Sequence, residues 1–231
     1  MIRLEGDEVK HIRRVLRLGA GDGIILFDGV SKEYEGNIVE EGPGSILVRI
    51  DHLRTSQTES LLHLTLAQSL LKGEKMDYLI QKATELGAKR IAPFLSSRSV
   101  PVLDESKRLG RQSRWKKIAV EASKQCGRGA VPEIEPIRSY SEMLLKVPHG
   151  SVRFLLWERE GQRLKEALVG VKEAIEVFFI VGPEGGLSPD EVDQASGVGF
   201  IPVNLGRRIL RAETAGVCLL SILQYELGDI G

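Results

Sequence analysis

Cysteine is scarce in this chain: Cys126 and Cys218 are its two thiols in 231 residues, far apart and outside any Cys-x-x-Cys pattern. Two isolated thiols exclude a disulfide framework and fit a reducing compartment. Histidine is sparse as well. His11, His52, His63 and His149 are dispersed without ligand spacing, so no metal site is expected. No apolar run approaches membrane-spanning length, and the opening Met1-Ile-Arg-Leu-Glu-Gly-Asp7 lacks the apolar stretch of a secretion signal. A cytoplasmic chain with no membrane partner is the expectation. Internal repeats and low-complexity segments are absent, which excludes solenoids and disordered tails.

An excess of charge of either sign is missing too: 32 Lys and Arg balance 32 Asp and Glu. Taken alone, that balance argues against a nucleic-acid partner, but distribution matters more than the total. Residues 1–68 carry 8 basic against 11 acidic residues, and residues 69–231 carry 24 against 21. Between Lys107 and Arg128 there are 8 basic residues and one acidic one, Glu121. Such a run is often the wet face of a helix. Eight like charges repel one another unless a polyanion relieves them, so RNA contact is the better expectation here.

Two regimes of patterning follow one another. An opening amphipathic stretch (Val9, Ile12, Val15, Leu16) leads into short apolar runs at Ile24 to Phe27, Tyr34 to Val39 and Ser45 to Ile50. Turn signals such as Asp28-Gly29 and Glu41-Gly-Pro-Gly44 separate them. Close spacing with glycine-bearing turns predicts a small antiparallel barrel. The polar Thr55-Ser-Gln-Thr-Glu-Ser60 reads as a linker. The period then changes. Strand-like Leu61 to Gln68 precedes a helix with Met76, Leu79, Ile80, Ala83 and Leu86 on one face, stopped by Gly87. Ile91 to Leu95, Val152 to Trp157, Val177 to Val181 and Phe200 to Val203 read as further strands. Between and after them come helices, including a basic one with Trp115, Ile118, Ala119 and Ala122 inward, Leu164 to Val171, and one from about Glu213 to Leu227. That alternation means a mostly parallel α/β sheet covered on both faces. The expected domains are residues 1–68 and 69–231. The last helix is apolar over so much of its circumference that burial on more than one side is expected.

The most specific segments lie near the C-terminus: Val181-Gly-Pro-Glu-Gly-Gly-Leu-Ser-Pro-Asp190 and Leu205-Gly-Arg-Arg-Ile-Leu-Arg-Ala-Glu-Thr-Ala215. Each follows a strand and leads into a helix, so together they offer one ligand two sets of backbone amides at the carboxyl ends of strands. Ser188-Pro-Asp-Glu191 carries the signature of a capping box with Pro at the first helical position. No G-x-G-x-x-G follows a strand and no Gly-Lys-Ser/Thr closes the loop, which excludes a dinucleotide fingerprint and a P-loop. Arg207, Arg208 and Arg211 on the second turn could pair with Glu213 as a solvated rim. Phosphate or base contact is favoured, because guanidinium matches phosphate oxygens bidentately.

With His11-Ile-Arg-Arg-Val-Leu-Arg17, Gln81-Lys-Ala-Thr-Glu-Leu-Gly87, Ser97-Arg-Ser99, Arg114-Trp115, and Glu121-Ala-Ser-Lys-Gln-Cys-Gly-Arg128 in order upstream, the chain resembles the 16S ribosomal RNA uracil-N3 methyltransferases (RsmE type) of the SPOUT superfamily. The resemblance implies a PUA-like or OB-like barrel followed by a SPOUT α/β domain with a C-terminal trefoil knot, and a homodimer. It implies S-adenosylmethionine as cofactor, held by Leu156, by Val181, Gly182, Pro183, Glu184, Gly185 and Gly186, by Leu205, Gly206, Ile209 and Leu210, and by Ala212, Glu213, Thr214 and Ala215. The implied reaction methylates uridine N3 in 16S ribosomal RNA, within an assembled small-subunit particle. Arg208 and Arg211 are the candidates for stabilising the uracil anion. Arg13, Arg14, Arg17, Arg98, Arg114, Lys117, Lys124 and Arg128 are the candidates for RNA contact. Two alternatives stand beside this reading: a SPOUT enzyme acting on a ribose 2′-hydroxyl or a guanine, and a non-catalytic RNA-binding module.

Overall fold

The computed structural model describes residues 1–99, 104–171 and 175–231. They form two compact units, one of Met1–Glu59 with Gly127–Ala130, the other of Ser60–Cys126 with Val131–Gly231. The division falls between Glu59 and Ser60, and not between residues 68 and 69. A boundary at 68 would cut through His63–Ser69, an interior strand of the second unit's sheet.

In the first unit, β1 (Ile2–Glu5), β2 (Gly23–Phe27), β3 (Lys32–Glu41) and β4 (Ser45–Thr55) form an antiparallel sheet in the order β1-β4-β3-β2. Register shifts at Glu35/Gly36 and Ile38/Glu40 bend the long β3–β4 pair. Residues two apart share a strand face, so Ile46 and Val48 turn inward together and meet Ile24, Ile38, Val9 and Ile12. The opening helix departs from the expected period. After α1 (Asp7–His11) the chain takes a π-helical turn over Ile12–Leu16. Its wider i→i+5 spacing shifts the faces, so Val9 and Ile12 are buried while Val15 and Leu16 stay 65% and 48% exposed. The excursion at 127–130 belongs here because Arg128 donates from Nε and Nη2 to Glu59 at 3.1 and 2.8 Å. Ala130 N–H adds a third bond to the same carboxylate, and Thr58 Oγ1 donates to Gly127 O.

The second unit is an eight-stranded sheet among the described residues, with every recorded pair parallel. Its strands are β5 (His63–Ser69), β6 (Arg90–Leu95), β7 (Glu133–Ile134), β8 (Arg138–Ser139), β9 (Val152–Leu156), β10 (Gln162–Arg163), β11 (Glu176–Val181) and β12 (Ile201–Asn204). The order is β10-β12-β9-β11-β5-β6-β7, with β8 also on β6. Interior strands bury both faces: Val177, Phe179 and Val181 enter one core, Phe178 and Ile180 the other.

Helices α2 (Lys75–Glu85), α3 (Glu105–Cys126), α4 (Tyr140–Leu144), α5 (Leu164–Ala167), α6 (Pro189–Gly197) and α7 (Ala212–Leu227) complete the unit. The helix expected over 164–171 is thus a single turn. On α7 the buried positions, among them Ala212, Gly216, Leu219, Leu220 and Leu223, form one stripe rather than a wrap. Val217, Cys218 and Ile222 are half-buried and Tyr225 is 66% exposed.

Candidate active site

A cavity of about 550 Å³ opens at the carboxyl ends of β9, β11 and β12, a size suited to a small-molecule ligand. Leu156, Trp157 and Glu158 line it after β9, residues 181–187 after β11, and residues 203–212 with Ala215 after β12. Lys75, at the start of α2, completes the wall. The fold therefore brings the two signature turns round one space. Of the residues expected to hold a cofactor, Glu213 and Thr214 do not line it: Glu213 is buried and faces Lys75, and Thr214 is exposed.

Two glycines set how close the first turn comes. Gly186 has φ +68, and a Cβ there would lie 3.1 Å from Glu158 Oε1. A Cβ on Gly182 would lie 3.0 Å from Leu187 Cγ. A side chain at Gly182 would intrude on the turn itself, and one at Gly186 on Glu158 after β9. The turn is also held from outside. Arg98 Nη1 donates to Gly185 O at 3.0 Å and to Leu187 O at 3.3 Å. Ser188 caps α6 in the expected capping box, and buried Glu191 accepts from Ser188 N–H at 2.8 Å and from Ser97 N–H at 2.7 Å. Tyr140 Oη donates to Glu191 O at 2.7 Å, and burial, with the Glu191 charge adding to it, pushes that phenol well above its ordinary value. Gln68, fully buried at the end of β5, donates to Gly182 O at 3.2 Å.

The electrostatics of the cavity divide into a paired cluster and an open rim. Lys75 Nζ lies 3.1 Å from Glu184 Oε1 and 3.5 Å from Glu213 Oε2. Glu184 Oε1 also accepts from Lys72 N–H at 3.1 Å. The bond to Glu184 is the largest influence raising the Lys75 ammonium above its usual value. For Glu184, burial pushes the carboxyl up. Its own backbone N–H, Lys72 N–H and Lys75 together outweigh that and hold it low. Arg207, Arg208 and Arg211 are exposed and line the cavity. The pairing of this rim with Glu213 does not form, because Glu213 is turned inward onto Lys75.

The RNA candidates separate sharply. Arg128 is 5% exposed and pairs with Glu59, so it is an internal strut of the first unit. Arg13 donates to Gly42 O at 2.6 Å and stands 3.4 Å from Glu41. Arg98 holds the glycine turn, Arg114 Nε donates to Asp77 at 2.8 Å, and Lys124 donates to Glu121 at 2.9 Å. Arg14, Arg17 and Lys117 are exposed, as is Lys116, the neighbour of Lys117 on α3. Sequence reasoning missed Lys75, Trp157 and Glu158. The signal for Lys75 was Lys72-Gly-Glu-Lys75, a third strand-to-helix turn at the end of β5, the neighbour of β11.

A parallel sheet whose carboxyl edge carries two glycine-bearing turns round one cavity defines a ligand-binding α/β domain, here joined to a small antiparallel unit. The model of the RNA methyltransferase domain family matches residues 58–224, and that of the RNA methyltransferase PUA domain matches residues 4–51. The ribosomal RNA small subunit methyltransferase E of Bacillus subtilis (strain 168) is 33% identical over 96% of this chain and 89% of its own length. That of Synechocystis sp. (strain ATCC 27184 / PCC 6803 / Kazusa) is 31% identical over 95% and 71%. A crystal structure of the Neisseria gonorrhoeae ribosomal RNA small subunit methyltransferase E, bound to S-adenosyl methionine, superposes with a TM-score of 0.91 at 35% identity, covering 99% of this chain and 93% of the other. The chain belongs to the RNA methyltransferase domain family, with a PUA domain preceding the parallel-sheet α/β methyltransferase domain in sequence.

Proposed function

We propose that this protein transfers a methyl group from S-adenosylmethionine to N3 of a uridine in 16S ribosomal RNA, giving 3-methyluridine. One observation carries the reading: both signature turns line a single cavity of ligand size, in a fold shared at a TM-score of 0.91 with a methyltransferase whose crystal structure is a complex with S-adenosyl methionine. The residues suit the group. Gly182 and Gly186 line the cavity at points where a Cβ would crowd Leu187 and Glu158, and residues 205–212, with the apolar Leu205, Ile209 and Leu210, line the other wall. When bound, S-adenosylmethionine supplies a methyl carbon activated on a sulfonium.

The protein's own task is the acceptor. Uracil N3 carries a proton and is a poor nucleophile until that proton is lost, whereupon charge spreads over O2 and O4. Guanidinium groups beside the cavity favour the charged form. Arg208 and Arg211 are placed on the exposed rim to do so. Once the N3 proton has passed to solvent or a neighbouring base, the N3–C bond can form as the S–C bond breaks. N3 lies on the pairing edge, so the target uridine is unpaired or flipped out when it reacts.

Among the candidates for RNA contact, Arg14 and Arg17 of the first unit and Lys117 of α3, with its neighbour Lys116, are exposed and placed to meet phosphate. The PUA match supports an RNA-recognition role for the first unit. The uncovered side of α7, with half-buried Val217 and Ile222 and exposed Tyr225, supports a homodimer. We place its action in the cytoplasm, which two isolated free thiols fit, and on assembled small-subunit particles.

Mass spectrometry of nucleosides from 16S RNA treated with protein and cofactor tests the reading. 3-Methyluridine is the expected product. A 2′-O-methylated nucleoside or a methylguanosine would replace it with the alternative acceptor chemistry, and cofactor binding without any product would leave only an RNA-binding role.

A further inference from the structure

The two turns that wall the cavity leave different strands, β11 and β12, with β9 lying between them in the sheet. Each turn leads to a carboxylate, and both carboxylates converge on one ammonium. We infer that Lys75 is a positioning residue that fixes the turn after β11 against the turn after β12, and so sets the separation of the two walls that grip the cofactor. This rests on the cofactor reading of the cavity.

Three observations carry it. Lys75 Nζ spans Glu184 Oε1 at 3.1 Å and Glu213 Oε2 at 3.5 Å, so the link reaches both walls with one side chain. The link is anchored at its own end, because Lys75 opens α2, whose next residues Met76, Leu79 and Ile80 are buried in the core, while Lys72 N–H holds Glu184 from the same segment. Glu213 is turned inward: the residue is 9% exposed, and its Oε2, which accepts no hydrogen bond from the described residues, has the Lys75 ammonium beside it at 3.5 Å. A solvated surface pair would contribute little and could re-form elsewhere. A carboxylate held out of water beside a single ammonium cannot.

Lys75 could instead serve only to neutralise Glu213, and the test separates the two roles. Wild-type protein, Lys75→Met, Lys75→Arg, Glu213→Gln and the Lys75→Met/Glu213→Gln double variant are compared by calorimetry with S-adenosylmethionine, by thermal unfolding without cofactor, and by amide hydrogen exchange over 182–187 and 206–212. Lys75→Met is expected to weaken binding roughly tenfold or more, the size of a lost charge-assisted bond, and to speed exchange in both turns. Lys75→Arg should retain most of the affinity. The double variant should recover its unfolding midpoint, having no buried charge to compensate, yet bind no better than Lys75→Met. The inference falls if Lys75→Met binds and exchanges as wild type does, or if the double variant regains affinity together with stability. Should wild-type protein itself fail to bind S-adenosylmethionine, the cofactor reading fails, and exchange in the two turns still decides whether Lys75 joins them.

Discussion

Arg207, Arg208 and Arg211 stand exposed on the rim of the cavity, with no acceptor engaged among the described residues. Arg13, Arg98, Arg114 and Arg128 each end on an oxygen of the protein itself. The side chains are chemically the same, and their surroundings decide what each is available for. A guanidinium that already bonds inside the fold has fewer donors left for a phosphate, and where its partner is a largely buried carboxylate, as Glu59 is for Arg128, giving that partner up is costly. A guanidinium on an unpaired turn forfeits nothing. The density of positive charge on α3 therefore overstates its reach for RNA, while the shorter cluster on the second turn is fully available.

The largest expected effect bears on the rim's side of this contrast, since it concerns the cavity the rim encloses. Gly186→Val should abolish S-adenosylmethionine binding while the protein stays folded, because a β-branched side chain is placed at φ +68 with its Cβ 3.1 Å from Glu158. Titration calorimetry alongside circular dichroism measures this, and unchanged affinity would remove the turn from the site. On the committed side, Arg128→Ala should destabilise the first unit by about 3–5 kcal/mol, the cost of stripping a buried carboxylate of its charge partner, since the Arg128 side chain is 4% and that of Glu59 13% exposed. Urea unfolding followed by fluorescence and dichroism reads the change. A loss well under that figure, coupled to weaker RNA binding, would return Arg128 to the RNA surface.

Third in size is Arg211→Ala. If Arg211 stabilises the uracil anion, its loss should lower single-turnover rate at saturating RNA by roughly a hundred- to a thousandfold, as for one preorganised charge-stabilising donor, and leave RNA affinity nearly unchanged. An effect on affinity alone would make Arg211 a phosphate-positioning group and shift the anion-stabilising role to Arg208.

How much of this was legible beforehand depended on distance along the chain. The strands β11 and β12, the face of α2 and the Ser188/Glu191 capping box follow from local periodicity and cap chemistry, and they place both signature turns. The π-helical turn at Ile12–Leu16 broke the 3.6 period that predicted burial of Val15 and Leu16. The two-residue strands β7, β8 and β10 are too short to show alternation at all. The return of 127–130 to the first unit, and the inward turn of Arg128, depend on Glu59, a partner 69 residues away. No window of sequence contains both. Lys75 was hidden for the same reason: its two carboxylates lie more than a hundred residues downstream, and only the order of strands brings them together.

The smallest effect separates two neighbours on α3. Arg114 holds Asp77, with its side chain 63% exposed and that of Asp77 20% exposed, while Lys117 is exposed on the same helix. Lys117→Ala should weaken RNA binding and flatten its salt dependence by about one unit of slope, the signature of one lost phosphate contact. Arg114→Ala should leave the slope unchanged and lower stability by less than about 1 kcal/mol, the usual range for a solvent-screened pair. Binding isotherms over a series of potassium chloride concentrations, with unfolding curves for both variants, measure each quantity independently. If Arg114→Ala flattens the slope as Lys117→Ala does, the Asp77 pair opens in the complex. Commitment to a protein acceptor would then no longer predict which cations reach RNA, and the contrast between rim and helix would have to be drawn from exposure alone.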